Sequence, residues 1–135
     1  LKEQYGVRLV FLDYLQLLGD PRAKDRQQEV AALSRGLKWI AIDEDIALVA
    51  LSQLSREPER RNDKRPHLSD LRESGSIEAD ADLVLLLFRE EMHKPMDENR
   101  GIAEVIIAKN RQGPTGSVRV AFIAETVRFA DLALC

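Results

Sequence analysis

Asp13 directly follows an almost unbroken apolar run, residues 7–12, and a carboxylate there can project from the carboxyl edge of an α/β sheet, where such folds place their ligands. A hard cation such as Mg²⁺ selects carboxylate and water oxygens, so this aspartate suits a metal that bridges nucleotide phosphates. Aspartate is equally an ordinary turn and cap residue, and the pattern alone leaves both roles open. Ser52-Gln53 closes a second apolar run, residues 46–51, in the same way. The Gln53 amide can donate to a phosphate oxygen and accept from a water, which suits a group that senses a terminal phosphate; a plain polar strand end has the same composition.

Lys109 and Arg111 stand two positions apart at the end of the β-rich run 102–108. Strand alternation sends both side chains to one side, where they can reach one target. Cations fixed on a hairpin meet the needs of an arginine finger, because charge developing on a transferred phosphoryl group is stabilised by donors already in place. A solvated hairpin tip uses the same residue types. Arg72, Glu73 and Gly75 form the last constellation. Arginine neutralises phosphate charge, glycine lets the main chain approach closely, and Glu73 can orient Arg72 or accept from a sugar hydroxyl. A capped helix start with a surface ion pair reads identically.

These residues need a frame. Runs 7–12 and 46–51 suit strands covered on both faces by helices. Between them, after the turn signal Gly19-Asp20-Pro21, Val30, Leu33, Leu37 and Ile40 recur at helical spacing and predict a helix packed by that stripe. Gly36 inside it costs about 1 kcal/mol relative to alanine, so packing must hold the helix. Residues 54–66 turn polar and basic with two prolines, a composition that predicts a mobile loop. A short helix over 76–81 and a third buried strand over 83–88 follow. Residues 102–108 and 118–123 then flank Gly113-Pro114-Thr115-Gly116, the pattern of a hairpin, with 127–129 as a last short strand. The order predicts an α/β sheet that is parallel at first and gains an antiparallel edge.

Composition bounds the rest. With 135 residues and 44% apolar content the chain has material for one core. A net charge of −3 gives no global positive field, so any nucleic-acid contact must be local. Aromatics are only 5%, which disfavours base stacking and leaves backbone grip as the mode of such a contact. Cys135 is the single cysteine, which excludes an intrachain disulfide and predicts a reducing, cytoplasmic setting. No apolar run approaches the roughly 20 residues of a membrane helix, so no membrane partner is expected.

Taken together, LVFLDYLQL (9–17), ALSQLSR (50–56), DLRESGSIEADAD (70–82) and AKNRQGPTG (108–116) resemble, in order, the later motifs of DnaB-type replicative helicases. The resemblance spans nearly the whole chain and implies the C-terminal portion of a RecA-like helicase ATPase domain. It implies an α/β, P-loop NTPase core with a mixed, mainly parallel sheet and a C-terminal β-hairpin. It further implies a hexameric ring that uses ATP and Mg²⁺ to translocate 5′ to 3′ on single-stranded DNA, with a primase and a helicase loader as partners. Asp13 then matches the Walker B aspartate and metal holder, and Gln53 the link between terminal phosphate and DNA loop. Arg72, Glu73 and Gly75 match the DNA-gripping loop, and Lys109 and Arg111 the finger pair reaching a neighbour's ATP. No G-x-x-x-x-G-K-[ST] stretch occurs in the chain, and the family's catalytic glutamate has no counterpart. The expectation is therefore a fragment without its phosphate-loop strand, inactive as an ATPase by itself. Two other readings share some of these residues: a RecA- or RadA-like recombinase or a related clock-type ATPase, and a non-catalytic assembly module that keeps the loop and finger only for subunit contacts.

Overall fold

The computed structural model describes residues 2–19 and 25–132, with the side chains of Glu3, Arg26, Arg72, Glu73 and Ser74 outside the description. Asp20, Pro21 and Cys135, named above, also lie outside the described residues. The chain divides into two compact units, residues 1–55 with 71–81 and residues 56–70 with 82–135.

In the first unit, a helical turn α1 (Lys2–Tyr5) leads into β1 (Leu9–Leu12), which pairs in parallel with β2 (Ala47–Ala50). The ladder continues beyond both strands, with the Leu51 N–H donating to the Leu12 carbonyl and the Leu15 N–H to the Leu51 carbonyl, each at 2.9 Å. Between the strands runs α2 (Arg26–Asp43), capped by the Asp25 side chain, which accepts from the Gln28 N–H at 3.1 Å. The predicted stripe is displaced. Val30 and Ser34 are buried and Leu33 and Leu37 are partly covered, whereas Ile40 is half exposed. The reason is length: α2 extends about 27 Å, and its helical neighbour α4 (Gly75–Asp80) only about 9 Å, too short to cover the last turns. Ser34 fixes that pairing, its hydroxyl donating to the Asp80 carboxylate at 2.7 Å.

The expected double-sided burial of the first two strands is not found. Leu9, Phe11, Val49 and Leu51 are exposed, because α2 covers one face only. A continuous apolar run records that both faces are fit for burial; it does not supply the second cover.

Gly36 lies in the middle of α2, and a Cβ built there meets nothing within 4 Å. Gly36→Ala should therefore stabilise the chain by about 1 kcal/mol, through the loss of backbone freedom in the unfolded state. Urea denaturation of both forms checks this, and a lower midpoint for the alanine form contradicts it.

The second unit is an antiparallel sheet in the order β3 (Leu83–Phe88), β4 (Ile102–Asn110), β5 (Gly116–Ile123) and β6 (Arg128–Ala130). Parallel pairing does precede antiparallel pairing, but the two kinds form separate sheets, and the antiparallel one is the larger. β3 is buried on alternate residues only. Val84, Leu86 and Phe88 face the core with Ala103, while Leu83, Leu85 and Leu87 are exposed, so this strand too has one covered face. The last strand begins after Val127, which occupies the preceding turn at φ 53°.

Residues 54–66 are more ordered than their composition predicts. They contain one helical turn, α3 (Glu57–Arg60), within which Arg60 pairs with Glu57, and two further arginines have acidic partners distant in sequence. Arg61 pairs with Asp70, and Arg65 pairs with Glu104 of β4 while lying over the Phe88 ring at 5.1 Å. A basic run reads as mobile only when its charges face water; here the partners lie 9 and 39 residues away.

Candidate functional site

In the first unit, β1 and β2 are paired as far as Leu12↔Ala50; Asp13 follows β1 directly, and Gln53 follows β2 after Leu51 and Ser52. Both Asp13 and Gln53 are exposed. The Asp13–Tyr14 peptide is cis. An open hollow of about 300 Å³ lined by Tyr14, Leu51, Ser52 and Gln53 occupies this end of the strands. Gln16 braces it. Its amide nitrogen donates to the Ser52 hydroxyl at 3.0 Å and to the Gln53 carbonyl at 3.4 Å, and its amide oxygen accepts from the Gln53 N–H at 3.3 Å. The backbone of Gln53 is thereby pinned to the segment after Asp13, while its side chain remains exposed to a ligand. The role of Gln16 was not read from the sequence; its place three residues after Asp13 was the available signal.

Among the described residues no group of three or more His, Cys, Asp or Glu side chains could hold a metal. A single exposed carboxylate such as Asp13 fits a Mg²⁺ ion held through water, since this ion gives up its waters reluctantly.

Gly75 opens α4 in the first unit, and a Cβ built on it meets nothing within 4 Å. The fold therefore does not itself require glycine at this position. Leu71 is buried, while the side chains of Arg72 and Glu73 lie outside the description.

In the second unit, Asp70 anchors the residues that lead into that stretch. It is 3% exposed and accepts from Arg61 Nη1 at 3.1 Å, from Arg61 Nη2 at 2.7 Å and from the His67 N–H at 2.7 Å. Burial alone would raise its pKa; the Arg61 hydrogen bonds and the His67 N–H outweigh that and hold it below the usual carboxylate range. Arg61 also donates to the Arg65 carbonyl at 2.9 Å, so one guanidinium closes the segment 61–70 on itself. Sequence reasoning did not find this clamp, since the charges between residues 56 and 70 allow many pairings.

Lys109 lies in β4 opposite Val84. The pairing is irregular just before it, with Leu85 opposite Ile107, so Ala108 is an extra residue on the bulged strand. Arg111 directly follows the strand and extends the ladder, its N–H donating to the Asp82 carbonyl at 2.9 Å. Its guanidinium donates to the Asp82 carboxylate at 3.0 Å. Asn110 stiffens the adjoining turn by accepting from the Gln112 N–H at 3.1 Å. Asp13 and Gln53 thus stand at neighbouring strand ends in one unit, and Lys109 and Arg111 at the end of β4 in the other.

Comparison with known proteins gives a consistent result. Residues 1–131 match the DnaB-like helicase C-terminal domain. The replicative DNA helicase DnaB of Geobacillus stearothermophilus is 51% identical over 134 residues, covering 98% of this chain and 30% of that protein. The replicative DNA helicase DnaC of Bacillus subtilis (strain 168) is 52% identical over the same shares. The chain thus spans about 30% of the length of these curated relatives. A solved ATPase domain superposes with a TM-score of 0.89 at 48% identity, over 98% of this chain and 47% of that one. A DnaB-like replicative helicase solved for its interactions with primase superposes with a TM-score of 0.89 at 46% identity, over 98% of this chain and 32% of that one.

Proposed function

Because the chain belongs to the DnaB-like helicase C-terminal domain family, we propose that it works as part of a replicative helicase motor, coupling ATP hydrolysis to 5′-to-3′ movement on single-stranded DNA and to unwinding of the duplex at the fork. The observation that carries this reading is that Asp13 and Gln53 both lie past the carboxyl tips of the adjacent parallel strands β1 and β2, with Gln16 tying Ser52 and the Gln53 backbone to the segment after Asp13. In a RecA-like sheet that edge is the ligand edge.

Each residue has a task that its position supports. Asp13 would hold a Mg²⁺ ion through water with its carboxylate, and that ion would supply neutralisation of charge on the nucleotide phosphates. Gln53 extends its amide toward the terminal phosphate. With its backbone pinned by Gln16, a change at that amide is passed to neighbouring residues rather than absorbed by the chain. Lys109 and Arg111 reach the phosphates bound by an adjacent subunit of a homo-hexameric ring. Arg72, Glu73 and Gly75 hold the DNA backbone, and six copies of one small grip reconcile DNA binding with a chain of net charge −3. Hydrolysis belongs to the whole motor, which includes a phosphate loop that these 135 residues do not contain. The setting is the cytoplasm, with a primase and a loader as partners. No described helix is long and apolar enough to cross a membrane.

Unwinding assays on forked DNA test the proposal. The full-length protein should open a fork carrying a 5′ single-stranded tail, only with ATP and Mg²⁺, and leave a fork with only a 3′ tail closed. Gly75→Ala should weaken single-stranded DNA binding about ten-fold, the scale of one lost charge-assisted backbone contact, with no fall in melting temperature, because the added methyl has open space in the protein. ATP-driven strand exchange without unwinding would transfer the chain to the recombinase reading. Undiminished DNA affinity in Gly75→Ala would remove the loop from the DNA site.

A further inference from the structure

We propose that Asp82 is the positioning residue for the Arg111 guanidinium, holding it oriented between turnovers so that the phosphate bound next door receives an ordered donor. The inference rests on the reading of Arg111 as a finger across the subunit boundary. Asp82 lies directly before β3 and Arg111 directly after β4, 29 residues apart in sequence. They meet because the β3–β4 ladder continues one step past Leu83↔Asn110. At that step Asp82 holds Arg111 at two points, its carbonyl accepting the Arg111 N–H at 2.9 Å and its carboxylate accepting from Nη1 at 3.0 Å.

The two contacts do different things. The backbone bond fixes where the arginine side chain starts, and the Asn110 turn that follows limits how far that start can move. The carboxylate limits where the far end points. A long arginine side chain left to itself samples many rotamers, and each must be given up when the guanidinium meets a phosphate. A partner already beside the guanidinium removes part of that cost from the catalytic step.

The pair is also suited to release. Its side chains are 48% and 57% exposed, so water screens the attraction and an incoming phosphate, with more negative charge, can share or displace the carboxylate. A buried pair such as Arg61–Asp70 could not be exchanged in this way. Asp82 therefore orients without trapping.

The test uses the assembled full-length protein with Asp82→Asn, which keeps the shape and the backbone bond and removes the charge. The expected result is a kcat for DNA-stimulated ATP hydrolysis lowered about two- to five-fold, the size an exposed pair supports, with KM for ATP and melting temperature unchanged. Added to Arg111→Ala, Asp82→Asn should cause no further loss, because its effect passes through the guanidinium. A kcat that is unchanged overturns the proposal, and so does one that rises, which would make the carboxylate only a competitor of the phosphate. A full additional loss in the Arg111→Ala background overturns it as well, by placing the action of Asp82 elsewhere. Should Arg111→Ala itself leave hydrolysis intact, the finger assignment fails first and takes this inference with it.

Discussion

Alanine at position 111 should lower the kcat of the assembled full-length motor by about 10³-fold or more, the range over which arginine fingers act on phosphoryl transfer. The size of the effect follows from what the transferred phosphoryl group needs. Charge spreads over its outer oxygens as the bond breaks, and a guanidinium already in place stabilises that charge without reorganising water. Arg111 has the required fixity, being bonded to Asp82 through both its N–H and its side chain at the end of a two-strand ladder. Affinity for ATP should change far less than kcat, since the contact gains most of its strength in the transition state. The decisive measurement is made on mixed rings. Subunits with Arg111→Ala retain Asp13, and subunits with Asp13→Ala retain Arg111. Equal mixing should restore activity at roughly a quarter of the boundaries in a head-to-tail ring, where each retained group meets the other. Mixed rings as inactive as either parent ring would place Asp13 and Arg111 in one subunit's site and remove the mechanism.

How far this arrangement was legible in the sequence depends on the range of each interaction. Asp13 and Gln53 could be placed because each ends an apolar run, and a run followed by a polar residue is a local signal of a strand tip. The hairpin carrying Lys109 and Arg111 was readable for the same reason, since Gly113-Pro114-Thr115-Gly116 marks its turn within a few residues. The extra residue at Ala108 was not, because register is a property of two strands and the partner residues, Val84 and Leu85, carry no mark of it. Arg61–Asp70, Arg65–Glu104 and Arg111–Asp82 were hidden likewise: twenty basic and twenty-three acidic residues permit many pairings, and only the fold selects among them. The exposed halves of β1 and β3 show the converse limit. Leu9, Phe11, Leu83, Leu85 and Leu87 are apolar in a pattern that announces burial, and the pattern is silent on which segment provides the cover.

Asp70→Ala should cost about 3 kcal/mol of stability, the lower end of the range for breaking a buried ion pair, because it strands a guanidinium that is itself partly solvated. Three hydrogen bonds disappear with the carboxylate, and the Arg61 Nε, already buried without a partner among the described residues, loses its compensation. Asp70→Asn should cost less, since its amide oxygen can still accept from the His67 N–H. The pH dependence has a definite sign. The folded-state pKa of Asp70 is lowered, so its stabilisation is complete above the ordinary carboxylate value and is lost as pH falls toward the lower folded-state value, below about pH 4. Asp70→Ala should accordingly flatten the acid limb of the stability curve in that window and leave its neutral-to-basic shape unchanged. Function should respond unevenly. Asp70 fixes the chain two residues before Arg72, so in the full-length protein the stimulation of hydrolysis by single-stranded DNA should fall more than hydrolysis without DNA. An equal fall in both would assign the clamp to general stability; a preserved acid limb would show that Asp70 is not the group whose protonation releases Arg61.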